Sequence, residues 1–270
     1  WAPVEDKMVI LSDAEILVED STIIQISKTV GEAEEEIDAD GALITPGFVD
    51  SHTHPIFSGN RANEFGMRIS GKSYEEIASM GGGIISSINE VRNASEEQLL
   101  EECLERINFF LVHGTTTIEA KSGYGLTIED ELKSLKVIKR LNESSPLDII
   151  PTFMGAHAFP PEFRNDHEGY VRLICEEMIP AVAEENLAEF CDVFCENGYF
   201  SLDDSRKILE IAKEYGLKPR LHADEFVDSG AAGLSAEVGA ISADHLMAVS
   251  NEGIQTVSYT HLTLPTSDLV

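Results

Sequence analysis

The rhythm of hydrophobic and polar positions changes near residue 46. Before that point, "AEILVED", "TIIQIS" and "EIDADGALI" alternate apolar with polar residues between turn formers. This pattern predicts short strands and a small β-sheet lobe. After it, apolar runs of strand length alternate with segments of helical period. "GFVDSHTH", "TTTIEAKS", "DIIPTFMGAH", "CDVFCENG", "KPRLHADE" and "AISADHL" read as strands. A helix is predicted from Ser95, with Gln98 placed for a capping box. It carries Leu99, Cys103, Ile107 and Leu111 on one face and stops at Gly114. A second starts near Ser201, with Asp204 three residues on, and stops at Gly216.

Six β–α units in succession imply a parallel sheet covered by helices, either an open doubly wound sheet or a barrel. The strand ends choose between them. His52 and His54, Lys121, His157, Glu196, His222, and Asp244 with His245 stand at the C-terminal ends of successive strands. A barrel gathers those ends on one face, where its active sites lie, whereas an open sheet spreads them along an edge. The expected fold is therefore α/β: an incomplete (β/α)8 TIM-type barrel of about six βα units, with a partial β-sheet lobe at the N-terminus. The expected boundaries are 1–45 for the lobe, 46–255 for the barrel and 256–270 for a tail. Trp1 is not an initiating methionine, so the reading frame is expected to begin upstream.

Composition narrows the function classes. With 43% hydrophobic and 25% charged residues, the chain of 270 residues resembles an ordinary globular protein with a substantial core. A net charge of −30, from 49 acidic and 19 basic residues, argues against nucleic acid or an anionic membrane as partner. The acidic run "GEAEEEIDADG" reads as a loop and short strand. Cys103, Cys175, Cys191 and Cys195 form no C-x-x-C pair, which suggests reduced thiols in a cytoplasmic protein. Cys191 and Cys195 read as packing residues. No signal peptide or membrane-spanning apolar run is visible. "MGGGI" at 80–84 lacks the G-K-[ST] of a phosphate loop.

The histidines carry the candidate chemistry. Residues i and i+2 of a strand point the same way, so His52 and His54 project together and can share one divalent ion. His222 in "RLHADE" is the best third ligand. Three nitrogens with an open position would lower the pKa of bound water to about 7. Glu225 and His245 are placed by the pattern to move protons near such a centre. Each has a plainer alternative: His245 fits a hydrogen-bonded core histidine, and His157 fits a loop residue. Lys121 could face the site or pair with Glu119 or Glu225. His113 reads as a helix C-terminal residue and His167 as surface.

"PGFVDSHTH" after a β-rich lobe resembles the amidohydrolase superfamily of metal-dependent hydrolases. "HTHPIFSGNRANEF", "GGGI", "GTTTIEAKSGYGL", "FMGAHAFPPEF", "LHADEF" and "SADHL", in this order, resemble the imidazolonepropionase family within it, over residues 8–255. That resemblance implies opening of the ring of 4-imidazolone-5-propanoate to N-formimidoyl-L-glutamate, in histidine degradation. It implies one divalent metal ion, zinc or iron, on His52, His54 and His222. It places Arg61 on the propionate carboxylate, Tyr124 and His157 on the substrate, Glu225 on the ring, and His245 as charge stabiliser or proton shuttle. A small-molecule substrate, a cytoplasmic location and a homodimer at full length go with it. The alternatives are another cyclic amidase or aminohydrolase of the superfamily, or an inactive metal-binding fragment. The family's aspartate at the end of barrel strand eight, and the "NPG"-like loop after it, have no counterpart here. "QTVSYTHLTLPTSDLV" resembles translated adapter DNA, shows no helical period, and leaves His261 uncounted as a ligand.

Overall fold

The computed structural model describes residues 10–73, 76–77, 80 and 82–259, and divides into two compact units, Trp1–Pro46 and Gly47–Val270. In the first unit, β1 (Glu15–Glu19) pairs antiparallel with β2 (Thr22–Ser27) across a tight turn at Asp20, whose φ is +54°. The third strand expected from "EIDADGALI" does not form. There the Asp38 carboxylate accepts the Asp40 amide at 2.8 Å, and Ala42 N–H bonds the Ala39 carbonyl at 2.8 Å. Those local bonds satisfy backbone groups that a strand would have offered to a neighbour.

The second unit is a six-stranded parallel sheet in the order of the chain: β3 (Phe48–Thr53), β4 (Thr115–Lys121), β5 (Asp148–Ala156), β6 (Phe190–Cys195), β7 (Lys218–Ala223) and β8 (Ser242–His245). All six expected strands are present, and helices lie between successive strands. The Glu96–Val112 helix starts where Ser95 Oγ accepts the Gln98 amide at 3.2 Å, and buries Leu99, Cys103 and Ile107. Only half of its expected capping box forms, because the Gln98 side chain turns to Glu102 and Ser58 instead. The Leu202–Glu214 helix has the full reciprocal box between Ser201 and Asp204. Glycines at φ +85° follow both helices, Gly114 and Gly216, where a side chain would be strained.

The Asn251–Tyr259 helix corrects a second expectation. Helical structure continues through "QTVSY", with Val257 buried four residues after Gly253. The polar Ser and Thr residues that blur its period turn their hydroxyls back to helix carbonyls: Thr256 to Glu252 and Ser258 to Ile254. The rest of the tail, including His261, lies outside the described residues, as does Gly81 of "MGGGI".

Strand alternation sorts the side chains into two layers. Ile118, Ala120, Ile149, Phe153, Cys191, Val193, Leu221, Ala223 and Ala243 belong to the apolar core. The alternate positions Glu119, Lys121, Asp192, Arg220, His222 and Asp244 are also buried, yet charged or polar. Register keeps them level: Asp192 pairs with Arg220, and His222 with Asp244. All four cysteines are free and buried, Cys191 and Cys195 as expected of packing residues.

Candidate metal centre and active site

The end of β3 delivers the first two imidazoles. Thr53, between them, points away and is pinned by its hydroxyl to the Glu119 carbonyl at 2.5 Å. His52 and His54 therefore project together, and His222 at the end of β7 meets them. His54 Nε2 lies 3.4 Å from His52 Nε2 and 3.1 Å from His222 Nε2. Two ligands at tetrahedral angles around zinc, with Zn–N near 2.0–2.1 Å, would stand about 3.3–3.4 Å apart.

The opposite ring nitrogens explain why these three lone pairs converge. His52 Nδ1 donates to Asp244 Oδ2 at 2.7 Å, and His222 Nδ1 donates to Asp192 Oδ1 at 3.0 Å. A neutral ring that donates from Nδ1 has only an acceptor at Nε2. Two acceptors and one further imidazole nitrogen cannot satisfy one another, because a single proton on His54 Nε2 serves only one neighbour. His54 Nδ1 is buried without a hydrogen-bond partner. A cation between the three Nε2 atoms removes the conflict, so this donor set fits a divalent ion. Carboxylates behind ligating histidines are the usual way to fix their tautomer and raise their basicity.

Protonation favours the same state. Burial pushes His222 down to about 3 and holds His54 well below the usual histidine range, with the neighbouring rings adding to the effect for His54. Burial alone would raise Asp192 and Asp244. For Asp192 its contact with His222 and the charge of Lys121 prevail; for Asp244 the His52 hydrogen bond and nearby cations do. Both stay below the usual carboxylate range. Lys121 is fully buried, with Nζ 2.5 Å from Glu119 and 2.8 Å from Asp192. Burial would lower its pKa, but those carboxylates reverse the effect and keep it charged. Arg220 donates to Asp244 at 3.1 Å and to the Ser51 carbonyl at 2.8 Å. In this cluster three carboxylates (Glu119, Asp192, Asp244) face two cations (Lys121, Arg220) beneath the imidazoles. Of the two alternatives for Lys121, the structure takes pairing with Glu119.

The remaining candidates surround this centre. The His245 ring centroid is 4.7 Å from that of His52 and 4.9 Å from that of His222. Its backbone has φ +74° and the following Leu246 has +54°. Consecutive left-handed residues are costly for L side chains, about 1–2 kcal/mol each. The turn is held by Leu246 N–H to the Ala223 carbonyl at 3.0 Å and Ala248 N–H to the Asp224 carbonyl at 2.8 Å. His245 Nε2 lies 3.6 Å from Glu225, whose carboxyl is pushed up by burial. On the other side, His157 stacks on His54 with centroids 5.0 Å apart, and its Nδ1 is 2.9 Å from the Gly123 carbonyl. Burial brings His157 down to about 4. Tyr124 lies 5.1 Å from His157 and 6.1 Å from His54, centroid to centroid.

A cavity of about 290 Å³ opens beside the triad, lined by His54, Phe57, Ser58, Asn60, Arg61, Ser86, Ser87, Glu90 and Tyr124. Arg61 thus shares one wall with two site residues, although its guanidinium also pairs with Glu64 at 2.6 Å. His113 caps its helix, Nδ1 to the Phe109 carbonyl at 2.7 Å, and His167 stacks on Phe159 in an exposed position. Sequence reasoning missed the roles of Asp192, Arg220 and Asp244, and the presence of Ser86, Ser87 and Glu90 in the cavity wall. Period-two phase with His222 and Phe194 was the available signal for Asp192 and Arg220. Nothing local marks the serines, which lie on a helix far from the strand ends in sequence.

No protein-family model matches the chain. It is 51% identical over 240 residues to an imidazolonepropionase of Geobacillus thermodenitrificans, covering 89% of this chain and 56% of that protein. It is 50% identical over 247 residues to one of Thermoanaerobacter pseudethanolicus, covering 91% and 60%. The chain therefore spans less than two thirds of the length of these curated relatives. In fold it is similar to 5-methylcytosine deaminase of Klebsiella pneumoniae liganded with phosphonocytosine, at TM-score 0.68 and 15% identity over 94% of this chain and 63% of that one. A zinc-bound adenosine deaminase of Xanthomonas campestris follows at 0.60 and 14%, over 97% and 60%. By sequence the chain is related to the imidazolonepropionases, and in fold it shares the α/β barrel architecture of these deaminases.

Proposed function

We propose that this chain carries the metal centre and much of the substrate pocket of an imidazolonepropionase. The reaction is hydrolysis of 4-imidazolone-5-propanoate to N-formimidoyl-L-glutamate. The observation that carries the reading is the convergence of the Nε2 atoms of His52, His54 and His222, with His52 and His222 each backed by a buried carboxylate. These three histidines would hold the ion, zinc or iron. When bound, a divalent ion supplies a water of lowered pKa and a Lewis acid for a carbonyl.

The chain's own residues do the rest. Arg61 offers a guanidinium fork to the propionate carboxylate, exchanging its Glu64 partner for the substrate. Tyr124 and His157 pack beside His54 and orient the ring. Glu225, with its pKa raised, hydrogen-bonds the imidazolone ring. Water adds to the lactam carbonyl carbon, and His245 stabilises the charge that develops on the carbonyl oxygen. The ring C–N bond breaks as the nitrogen gains a proton, which His245 shuttles. A cytoplasmic location goes with this reading and is supported by four free, buried cysteines. A homodimer at full length goes with it through the resemblance alone.

The test is ring opening, followed as loss of imidazolonepropionate absorbance, by this chain and by a version extended to the length of its relatives. Turnover that disappears with His54→Ala supports the reading. An extended, zinc- or iron-loaded protein that leaves imidazolonepropionate intact while acting on another cyclic amide or amine rejects it.

A further inference from the structure

We infer that Glu131 is a positioning residue that presets Tyr124 and His157 for the pocket. It sits in the first turn of the Ile128–Ser144 helix and is fully buried. Its carboxylate accepts Gly123 N–H at 3.1 and 3.2 Å, Gly125 N–H at 2.9 Å and Leu126 N–H at 2.9 Å. These are the backbone donors on either side of Tyr124. A carboxylate buried at a cost of solvation is here matched to donors that a loop cannot satisfy by itself.

The loop's carbonyls are held from outside. Arg92 Nε donates to the Gly125 carbonyl at 2.7 Å while its Nη2 pairs with Glu162 at 2.7 Å. The Gly123 carbonyl receives His157 Nδ1. Residues 123–126 are therefore clamped through N–H groups on one side and C=O groups on the other. The conformation so held is an unusual one: Gly123 has φ +107° and Leu126 has φ +55°. A Cβ at Gly123 would come 3.0 Å from His157 Nδ1, and one at Gly125 would come 2.6 Å from the Asp130 backbone. Such a loop does not adopt this shape from local propensity; it needs the buried acceptor. The outcome is one fixed place for the Tyr124 ring against His54 and His157, which is the kind of support a preorganised site requires.

The inference rests on the proposed function only in taking Tyr124 and His157 as substrate contacts. The experiment therefore has two arms, both on the full chain loaded with zinc. In the first, hydrogen exchange of the amides of Gly123, Gly125 and Leu126 is followed by NMR. We expect Glu131→Ala to speed all three by at least about 100-fold while β4 and β5 amides keep their rates. In Glu131→Gln the oxygen that serves Gly123, Gly125 and Leu126 can stay, and the amide NH2 takes the place of the oxygen that serves Gly123 a second time. That variant should speed exchange at Gly123 most, since it keeps only the longer of its two bonds, and spare Gly125 and Leu126; it serves if the alanine variant does not fold. In the second arm, KM for imidazolonepropionate should rise about 10-fold in Glu131→Gln with kcat changed less. Glu131→Gln combined with Tyr124→Phe should be no worse than the worse single variant, and zinc affinity should stay within about 3-fold. Amides equally protected with and without the carboxylate, or KM effects that multiply independently, overturn the inference. A wild type extended to the length of its relatives and loaded with zinc that acts on another cyclic amide or amine but not on imidazolonepropionate refutes the proposed function, and the exchange arm then still decides whether Glu131 holds the loop.

Discussion

His52 Nδ1 and Asp244 Oδ2 lie 2.7 Å apart although 192 residues separate them, joining the first and last strands of the six-stranded sheet. The bond orients a proposed ligand and at the same time draws the sheet's two edges around a common centre. Asp244→Asn removes the charge and keeps the shape. Zinc affinity, measured by competition with a chromophoric chelator, should fall about 10- to 100-fold. An affinity within 2-fold of the wild type would show that the carboxylate does not tune His52.

Lys121 is the cation between Glu119 and Asp192. Lys121→Met leaves those carboxylates without their buried partner, so urea unfolding should report a loss of about 3–5 kcal/mol. Adding Glu119→Leu restores the charge balance and should recover part of that loss. A double variant no more stable than Lys121→Met alone would place the cost in packing rather than charge.

The three-histidine centre predicts a thermodynamic link between ion and fold. Zinc at about 100 times its dissociation constant should stabilise the metal-stripped chain by about 2.7 kcal/mol. His54→Ala removes the central imidazole, so its unfolding midpoint should no longer move with zinc. A midpoint that still rises in the variant would locate the binding elsewhere.

Cysteine chemistry checks the core independently of function. Burial pushes the thiols of Cys103, Cys175 and Cys195 up to about 11, and holds Cys191 well above the usual range. A disulfide reagent at pH 8 should therefore modify almost none of the four thiols in the native chain and all four in urea. Rapid reaction of the native protein would contradict the buried placement.

Helix ends were legible because they are local: Ser201 with Asp204, and the glycines at 114 and 216, act within a single turn of chain. "EIDADGALI" shows the limit of the same reasoning. Its alternation is that of a strand, yet a strand needs a partner for its backbone, and local turns around Asp38 and Asp40 took those groups instead. "QTVSY" erred in the other direction, since hydroxyls that bond helix carbonyls hide the period that Val257 obeys.

By itself the sequence determined the six strands, the polar residues at their C-terminal ends and the pairing of His52 with His54 on one side of β3. Those features follow from period-two alternation, which any strand obeys. The sequence also named His222 as the third ligand; only the tertiary structure decided how closely its Nε2 meets the other two and that Asp192 and Asp244 stand behind two members of the triad. It also decided that Lys121 pairs with Glu119 and Asp192 rather than Glu225. Those relationships depend on strand register and on the curl of the sheet. Register is fixed by which alternating face each strand buries against its neighbours, and the curl by the accumulated right-handed twist of the strands, across separations in sequence that no local pattern spans.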